Sequence, residues 1–232
     1  MLPVLLHLHV PRASGSSLHA WFRQGLGQGG VARANATEAV RKIVAERQEP
    51  RRPAVISGHF AYGVHQNLEG HPYRYALLLR DPVRRVLSLF RYIRGLPAHD
   101  LHEVLNGPDM TIARFYAERL PGSGPRNAMV AQLAGVLGSG VTLAPEHLEQ
   151  ACANLFAQDM MYGLAEDPAP FLARAAGLLG IEQPPPFPEV NRPGARESWG
   201  GSEADLAAIA QANQLDIAFY ERARARLKAA AA

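Results

Sequence analysis

Val4-Leu-Leu-His-Leu-His-Val-Pro-Arg-Ala-Ser-Gly-Ser-Ser17 decides the architecture of this chain. Residues 4–10 are a short apolar run with β-branched ends, the pattern of a buried strand, and Pro11 ends it. From Ser17 the spacing changes: Leu18, Trp21, Phe22 and Leu26 recur near every 3.6 residues, which predicts a helix. A strand, a tight polar turn and a helix in that order open an α/β fold.

The unit recurs downstream. Residues 53–57 predict a second buried strand running into Gly58-His59-Phe60. Tyr73–Leu79 predicts a third, ending at Arg80-Asp81-Pro82. The helix after it carries Val83, Val86, Leu87, Phe90 and Ile93 on one face, with Arg84, Ser88 and Arg91 on another flank. A fourth strand is expected at Met160–Leu164, ahead of Glu166-Asp167-Pro168, and a helix over residues 171–179 ends at Gly180. Residues 37–47 read as a helix with Thr37 as N-cap, and residues 96–150 as mostly helical, broken at 121–125. Residues 183–188 form a stiff extended stretch, and one last helix runs from Ser202, with Asp205 three residues on, to the alanine tail. Strands alternating with helices imply a three-layer α/β fold, a central, mostly parallel sheet flanked by helices, in one domain over 1–232. Ligands of such sheets bind at the strand carboxyl ends. Arg12, Ser16 and Ser17 fall there after the first strand, His59 after the second and Arg80 after the third.

Composition narrows the function classes. At 232 residues, 47% hydrophobic and 19% charged, the chain is globular and excludes a large multidomain machine. Of the 24 cationic side chains only Lys42 and Lys228 are lysine, so arginine, the planar clamp for phosphate and carboxylate, supplies the rest. A net charge of +3 suits an anionic ligand, and with no block of five like charges no nucleic acid polymer is expected as partner. Cys152 is the single cysteine, which excludes an intramolecular disulfide and a cysteine-based zinc site and reads as a packed residue. His7 and His9 share a strand face but bring no carboxylate or cysteine at ligand spacing, so no metal is expected. No run approaches the roughly 18 apolar residues of a membrane span, and the opening residues lack the cationic start of a signal peptide. The expectation is a cytoplasmic protein with no membrane partner.

The first turn lacks the lysine and spacing of a Walker A loop, yet it offers small residues, Arg12, and serines at a helix start whose N–H groups can face an anion. By itself it fits an anion seat or an ordinary serine-capped helix equally. His59 alone reads as a capping or core histidine, Ser88 as a helix serine, Arg80 as a partner of Asp81, and Glu166 and Asp167 as loop acids or pocket-shaping ones.

Taken together, these segments resemble a known family. His9-Val-Pro-Arg-Ala-Ser-Gly-Ser-Ser-Leu18 is similar to the His-Ile-Pro-Lys-Thr-Gly-Gly-Thr-Ser loop of sulfotransferases that use 3′-phosphoadenosine 5′-phosphosulfate (PAPS), and most of all to carbohydrate sulfotransferases of the heparan sulfate 2-O and 6-O type and their bacterial relatives. Leu79-Arg-Asp-Pro-Val-Arg-Arg-Val-Leu-Ser88 resembles that family's Leu-Arg-Asp-Pro-Val-x-Arg-x-x-Ser segment. Weaker echoes follow at Asn127-x-x-x-x-Gln132-Leu-Ala-Gly135, Tyr162-Gly-Leu-Ala-Glu166 and Val190-Asn191.

The resemblance implies a P-loop-like fold with an acceptor-side helical region at about 96–150. It implies PAPS as donor and a carbohydrate or other small hydroxyl acceptor, with no metal. Arg12, Ser14, Gly15, Ser16 and Ser17 would bind the 5′-phosphosulfate, Arg80 and Ser88 the 3′-phosphate, and Arg196 would approach the nucleotide. His59 would be the general base, Arg12 would hold charge on the leaving oxygen, and His65, Asn127 and Gln132 would face the acceptor. Two positions depart from the pattern. Arg12 stands where the family has lysine and cannot give up a proton. Ser14 replaces a glycine and is strained if the turn needs positive φ. The rival classes are a sulfotransferase-like nucleotide binder with little or no activity and a small P-loop kinase.

Overall fold

Five short strands pair side by side, all parallel, in the order β2-β3-β1-β4-β5: β1 is Val4–Leu8, β2 Val31–Arg33, β3 Val55–Gly58, β4 Tyr73–Leu79 and β5 Met160–Leu164. The structure, a computed structural model, describes residues 3–27, 29–46, 54–68, 70–120, 124–138, 141–188, 190 and 201–231. In chain order the helices are α1 (Gly15–Leu26), α2 (Thr37–Ala45), α3 (Pro82–Arg94), α4 (His102–Leu105), α5 (Ile112–Ala117), α6 (Ala128–Leu133), α7 (Pro145–Leu155), α8 (Ala169–Leu179), α9 (Glu203–Ala212) and α10 (Gln214–Ala231).

Strand alternation explains the layers, because successive side chains point to opposite faces. Leu6, Leu8, Ile56, Leu77 and Leu79 face a core shared with α2, α6, α7 and α10, where Val40, Met129, Leu155 and Phe219 are buried. Leu5, Val55, Ala76 and Leu78 face the other side and pack on Trp21 and Phe22 of α1 and Phe171 of α8. A third cluster joins α3, α4, α5 and α9 around Phe90, Ile93, Phe115 and Ile209. The α/β class, with a parallel sheet between helical layers, is as the sequence implies.

Local readings differ at three places. β2 is a fifth strand, absent from the sequence reading; its three residues pair with Val55, Ile56 and Ser57 and are too few for a period to register. The N-cap of α2 is Ala36, extended at φ −143°, so Thr37 is the first helical residue. The last helix is two, divided at Asn213. That fully buried side chain donates to the carbonyls of Ile209 (3.0 Å) and Pro125 (2.8 Å) and accepts from the amide of Asn127 (2.8 Å). Ser202 and Asp205 do cap α9 reciprocally, at 3.1 and 3.0 Å, and Asp205 also accepts from the amide of Ala113.

A buried ion pair fastens the helical half to the sheet half. Arg85 of α3 and Asp216 of α10 are both wholly inaccessible, and Arg85 Nη2 lies 3.4 Å from Asp216 Oδ2. Asp216 also accepts from the amides of Met129 (3.2 Å) and Val130 (2.8 Å) at the start of α6, while Arg85 Nη1 donates to the Gly124 carbonyl at 3.2 Å. Breaking such a pair strands a charge in a dry interior. Asp216→Ala is therefore expected to lower the unfolding free energy by about 3–5 kcal/mol in a urea titration; a loss below about 1 kcal/mol would mean that the pair does not hold the halves together.

Candidate functional site

The carboxyl ends of β1, β3 and β4 open into one cleft of about 680 Å³, a size that suits a nucleotide-like ligand. His9, Arg12, Ser14, Gly15, Ser16, Ser17, His59, Arg80 and Ser88 all line it. The structure thus brings together residues far apart in the chain, as His9 and Arg80 follow the adjacent strands β1 and β4.

The turn after β1 is built on two left-handed residues, Arg12 (φ 65°) and Ser14 (φ 62°). A side chain at such φ costs about 1 kcal/mol or more, so Ser14 carries the strain that the missing glycine predicts. Gly15 cannot be replaced cheaply, because a β-carbon there would land on the His9 ring. Ser17 Oγ accepts from the amide of Val190 at 3.1 Å and so ties the strap after α8 to the start of α1; Trp21 Nε1 does the same to the Pro185 carbonyl at 2.9 Å.

On the β4 side, Arg80 Nη1 donates to the Arg12 carbonyl at 3.0 Å. Asp81 does not pair with Arg80 in a side-chain bond; its Oδ1 caps α3 by accepting from the Arg84 amide at 2.8 Å. Its own amide donates to Glu166 Oε1 at 3.0 Å, and Tyr220 Oη donates to Glu166 Oε2 at 3.0 Å, so Glu166 staples the turns after β4 and β5 at the cleft wall. Burial lowers the Arg80 pKa, and Glu166 beside it works against that shift. Arg84, Ser88 and Arg91, predicted to share a flank of α3, all reach the cleft; Tyr92, Phe187 and Pro188 also line it and carried no signal in the sequence.

The histidines form a column. His7 and His9 rings lie 5.7 Å apart, and His9 and His59 stack at 4.3 Å. His59 Nδ1 lies 2.8 Å from the His9 carbonyl. A carbonyl only accepts, so Nδ1 carries the proton and Nε2 keeps its lone pair. Burial lowers the His59 pKa from 6.5, the bond to the His9 carbonyl opposes that, and Arg33 reinforces it. His9 is driven to about 3, by burial first and then by the charges of His59 and Arg33. The whole column is neutral at pH 7.

His65, Asn127 and Gln132 make hydrogen bonds within the fold. His65 lies outside the cleft lining, with Nδ1 2.9 Å from the Tyr75 hydroxyl and its ring 4.6 Å from Tyr73. Asn127 Oδ1 accepts from the amide of Asp216 at 3.1 Å, and buried Gln132 donates from Nε2 to the Phe60 carbonyl at 2.9 Å, which braces the segment next to His59. Arg196 and Asn191 lie outside the described residues. Cys152 is buried against Arg222, whose Nη1 is 3.7 Å from Sγ. Among the described residues no group of three or more His, Cys, Asp or Glu side chains could hold a metal ion, and no helix is long and apolar enough to cross a membrane.

A histidine whose folded pKa lies below its unfolded value contributes stability above about pH 6.5 and loses it as the pH falls toward the folded value. With His9 at about 3 and His7 well below 6.5, the melting temperature should fall between pH 7.5 and 5. His9→Gln should flatten that slope by removing one of the protons taken up on unfolding by the histidines with lowered pKa, His19 at about 4 among them; an unchanged slope would reject the assignment.

Two of three comparisons with known proteins return nothing: no family model and no curated protein matches the sequence. Among solved structures the chain is similar to a mouse sulfotransferase, SULT7A1, complexed with PAP, at 15% identity and a TM-score of 0.44. The match covers 90% of this chain and 63% of that one, so this chain spans less than two thirds of that neighbour's length.

Proposed function

We propose that this chain is a sulfotransferase that moves a sulfuryl group from PAPS to a hydroxyl of a carbohydrate or other small acceptor. The observation that carries the reading is His59, with Nδ1 on the His9 carbonyl, lining the same cleft as the start of α1, Arg80 and Ser88. The resemblance of residues 9–18 and 79–88 to the PAPS-binding segments supports the identity of the donor. The carbohydrate class rests on that resemblance alone.

In this reading His59 Nε2 takes the proton of the acceptor hydroxyl as its oxygen bonds to sulfur. The bond between sulfur and the 5′-phosphate oxygen breaks on the opposite side. The amides at the start of α1, around Gly15, Ser16 and Ser17, receive the charge that builds on that oxygen. Arg80 and Ser88 hold the 3′-phosphate, as a charged planar donor and a hydroxyl can. Nothing covalent forms on the protein. The rate comes from alignment and fixed dipoles.

His59→Ala should lower sulfate transfer by about 10²–10⁴-fold, the usual weight of a general base, and change affinity for 3′-phosphoadenosine 5′-phosphate (PAP) by less than about threefold, since in this reading His59 faces the acceptor. Because His59 must be neutral and its pKa lies below 6.5, kcat/KM should climb with pH and level off by pH 7. Transfer assays over an acceptor panel, with calorimetry of PAP, decide the matter. No transfer to any acceptor together with no PAP binding would overturn the reading, whereas PAP binding without transfer would leave the inactive nucleotide binder.

A further inference from the structure

An in-line transfer sets three atoms in a row, the acceptor oxygen, the sulfur and the leaving oxygen, with the sulfuryl oxygens beside the middle one. In the proposed reaction His59 stands at the first of these and the amides around Gly15 at the last. The His9 ring touches both. It stacks on the His59 ring with centres 4.3 Å apart and planes at 26°. Its Cδ2–Nε2 edge lies on the first residue of α1, where a β-carbon at Gly15 would collide with it. The His9 backbone is held on both sides, since its amide donates to the Gly58 carbonyl at 2.8 Å and its carbonyl accepts from His59 Nδ1. The ring nitrogens, in contrast, make no hydrogen bond to a described residue. Among the described residues the buried side-chain nitrogens without a partner belong to His19 and Arg85, so those of His9 are open to the cleft that this residue lines. Burial first, then His59, Arg33, His19 and Arg12, keep the ring neutral, with a pKa of about 3.

We infer that His9 is a second catalytic histidine, whose ring N–H donates to an oxygen of the sulfuryl group while His59 takes the acceptor proton. The inference rests on the proposed function, because only that reading places a sulfuryl group between His59 and α1. The chemistry suits a neutral imidazole. Such a ring keeps one N–H and one lone pair, and with no partner to fix the tautomer, an anionic oxygen selects the form that turns N–H toward it. A neutral histidine beside a helix N-terminus polarises an oxygen without bringing a net charge. That matters here, because an imidazolium at His9 would oppose the proton that His59 has to accept. The two rings divide the work by what their nitrogens already touch. His59 has its N–H on the His9 carbonyl and offers a lone pair, whereas His9 offers an N–H. No bond to His9 forms or breaks, and its proton stays in place. His7, next on the same strand face, is buried with Nδ1 2.8 Å from Ser57 Oγ and takes no part.

Calorimetry of PAPS and of PAP tests this, since one nucleotide carries the sulfuryl group and the other lacks it. Two variants separate the roles of the ring. His9→Phe keeps a flat ring against His59 and removes the donor; His9→Gln keeps an amide donor and removes the stack. His9→Phe is expected to weaken PAPS about 10-fold, the scale of a lost hydrogen bond to a charged group, to leave PAP within about twofold, and to lower kcat/KM for PAPS at least about 10-fold. His9→Gln should recover most of the PAPS affinity. The reverse order, with PAPS binding and turnover kept in the phenylalanine variant and lost in the glutamine one, would make His9 a positioning residue for His59 and overturn the inference. Equal losses for both nucleotides, or a ratio of the two affinities that does not move, would overturn it too. A measurement on the wild-type chain needs no variant to fold: with isotope-labelled histidine, the magnetic resonance signal of the His9 ring N–H should shift when PAPS is added and stay in place with PAP, and the same response to both would reject the contact. If the wild-type chain binds neither nucleotide, the proposed function fails, and the inference with it; binding of both with no difference at His9 defeats the inference alone.

Discussion

The hydrogen bond from Arg80 to the carbonyl of Arg12 joins the turns after β1 and β4 at the sheet edge, with the Arg12–Ser88 contact beside it. The turn after β1 must pass from an extended strand to the first turn of α1 in six residues, and it does so through two left-handed conformations. Left alone, such a turn would relax, since each costs free energy for a residue with a β-carbon. A guanidinium donating to the outermost carbonyl gives the strained form a partner that the relaxed form lacks. The bond also fixes where Arg80 sits, which matters because its charge is partly buried and depends on Glu166 for compensation.

Across the cleft the governing term is desolvation. His7 and His9 alternate onto the α1 face of β1, where Phe22 packs edge-on against His7. Gly58 lets the chain leave β3 against the Ala34 carbonyl, which no β-carbon would allow, and the next residue is His59. His7 is buried, His9 half-buried and His59 exposed, and desolvation is the largest cause that lowers the pKa of each. Among the described residues the arginines that line the cleft are Arg12, Arg80, Arg84 and Arg91, while Arg33 acts on His9 and His59 from the β2 side.

The helical half contributes stability and shape. Asp216 sits where three elements meet, accepting from the first amides of α6 and from Arg85 of α3, and Asn213 breaks the last helix to put it there. Asn127 and Gln132, which the sequence motif marks together, belong to this framework: one caps the junction with α10, the other props the exit of β3.

Much of this was legible in the residue order. Tyr73–Leu79 and Met160–Leu164 emerge with the bounds their apolar runs imply, and the flank of Arg84, Ser88 and Arg91 follows from helix period alone. Such features are local: strand alternation, helix period and capping chemistry act over a few residues, and the chain carries them wherever it goes. The strain at Ser14 was legible for the same reason, since a missing glycine speaks about its own φ. Distance across the fold was not. β2 exists because β3 offers it an edge, Arg12 reaches α3 only once β1 and β4 lie side by side, and Asn213 divides a helix because Pro125 and Asn127 arrive next to it. Local propensity determined the elements and the candidate residues; which side chains meet was decided by packing, where burial and hydrogen-bond satisfaction outweigh the preference of any single stretch.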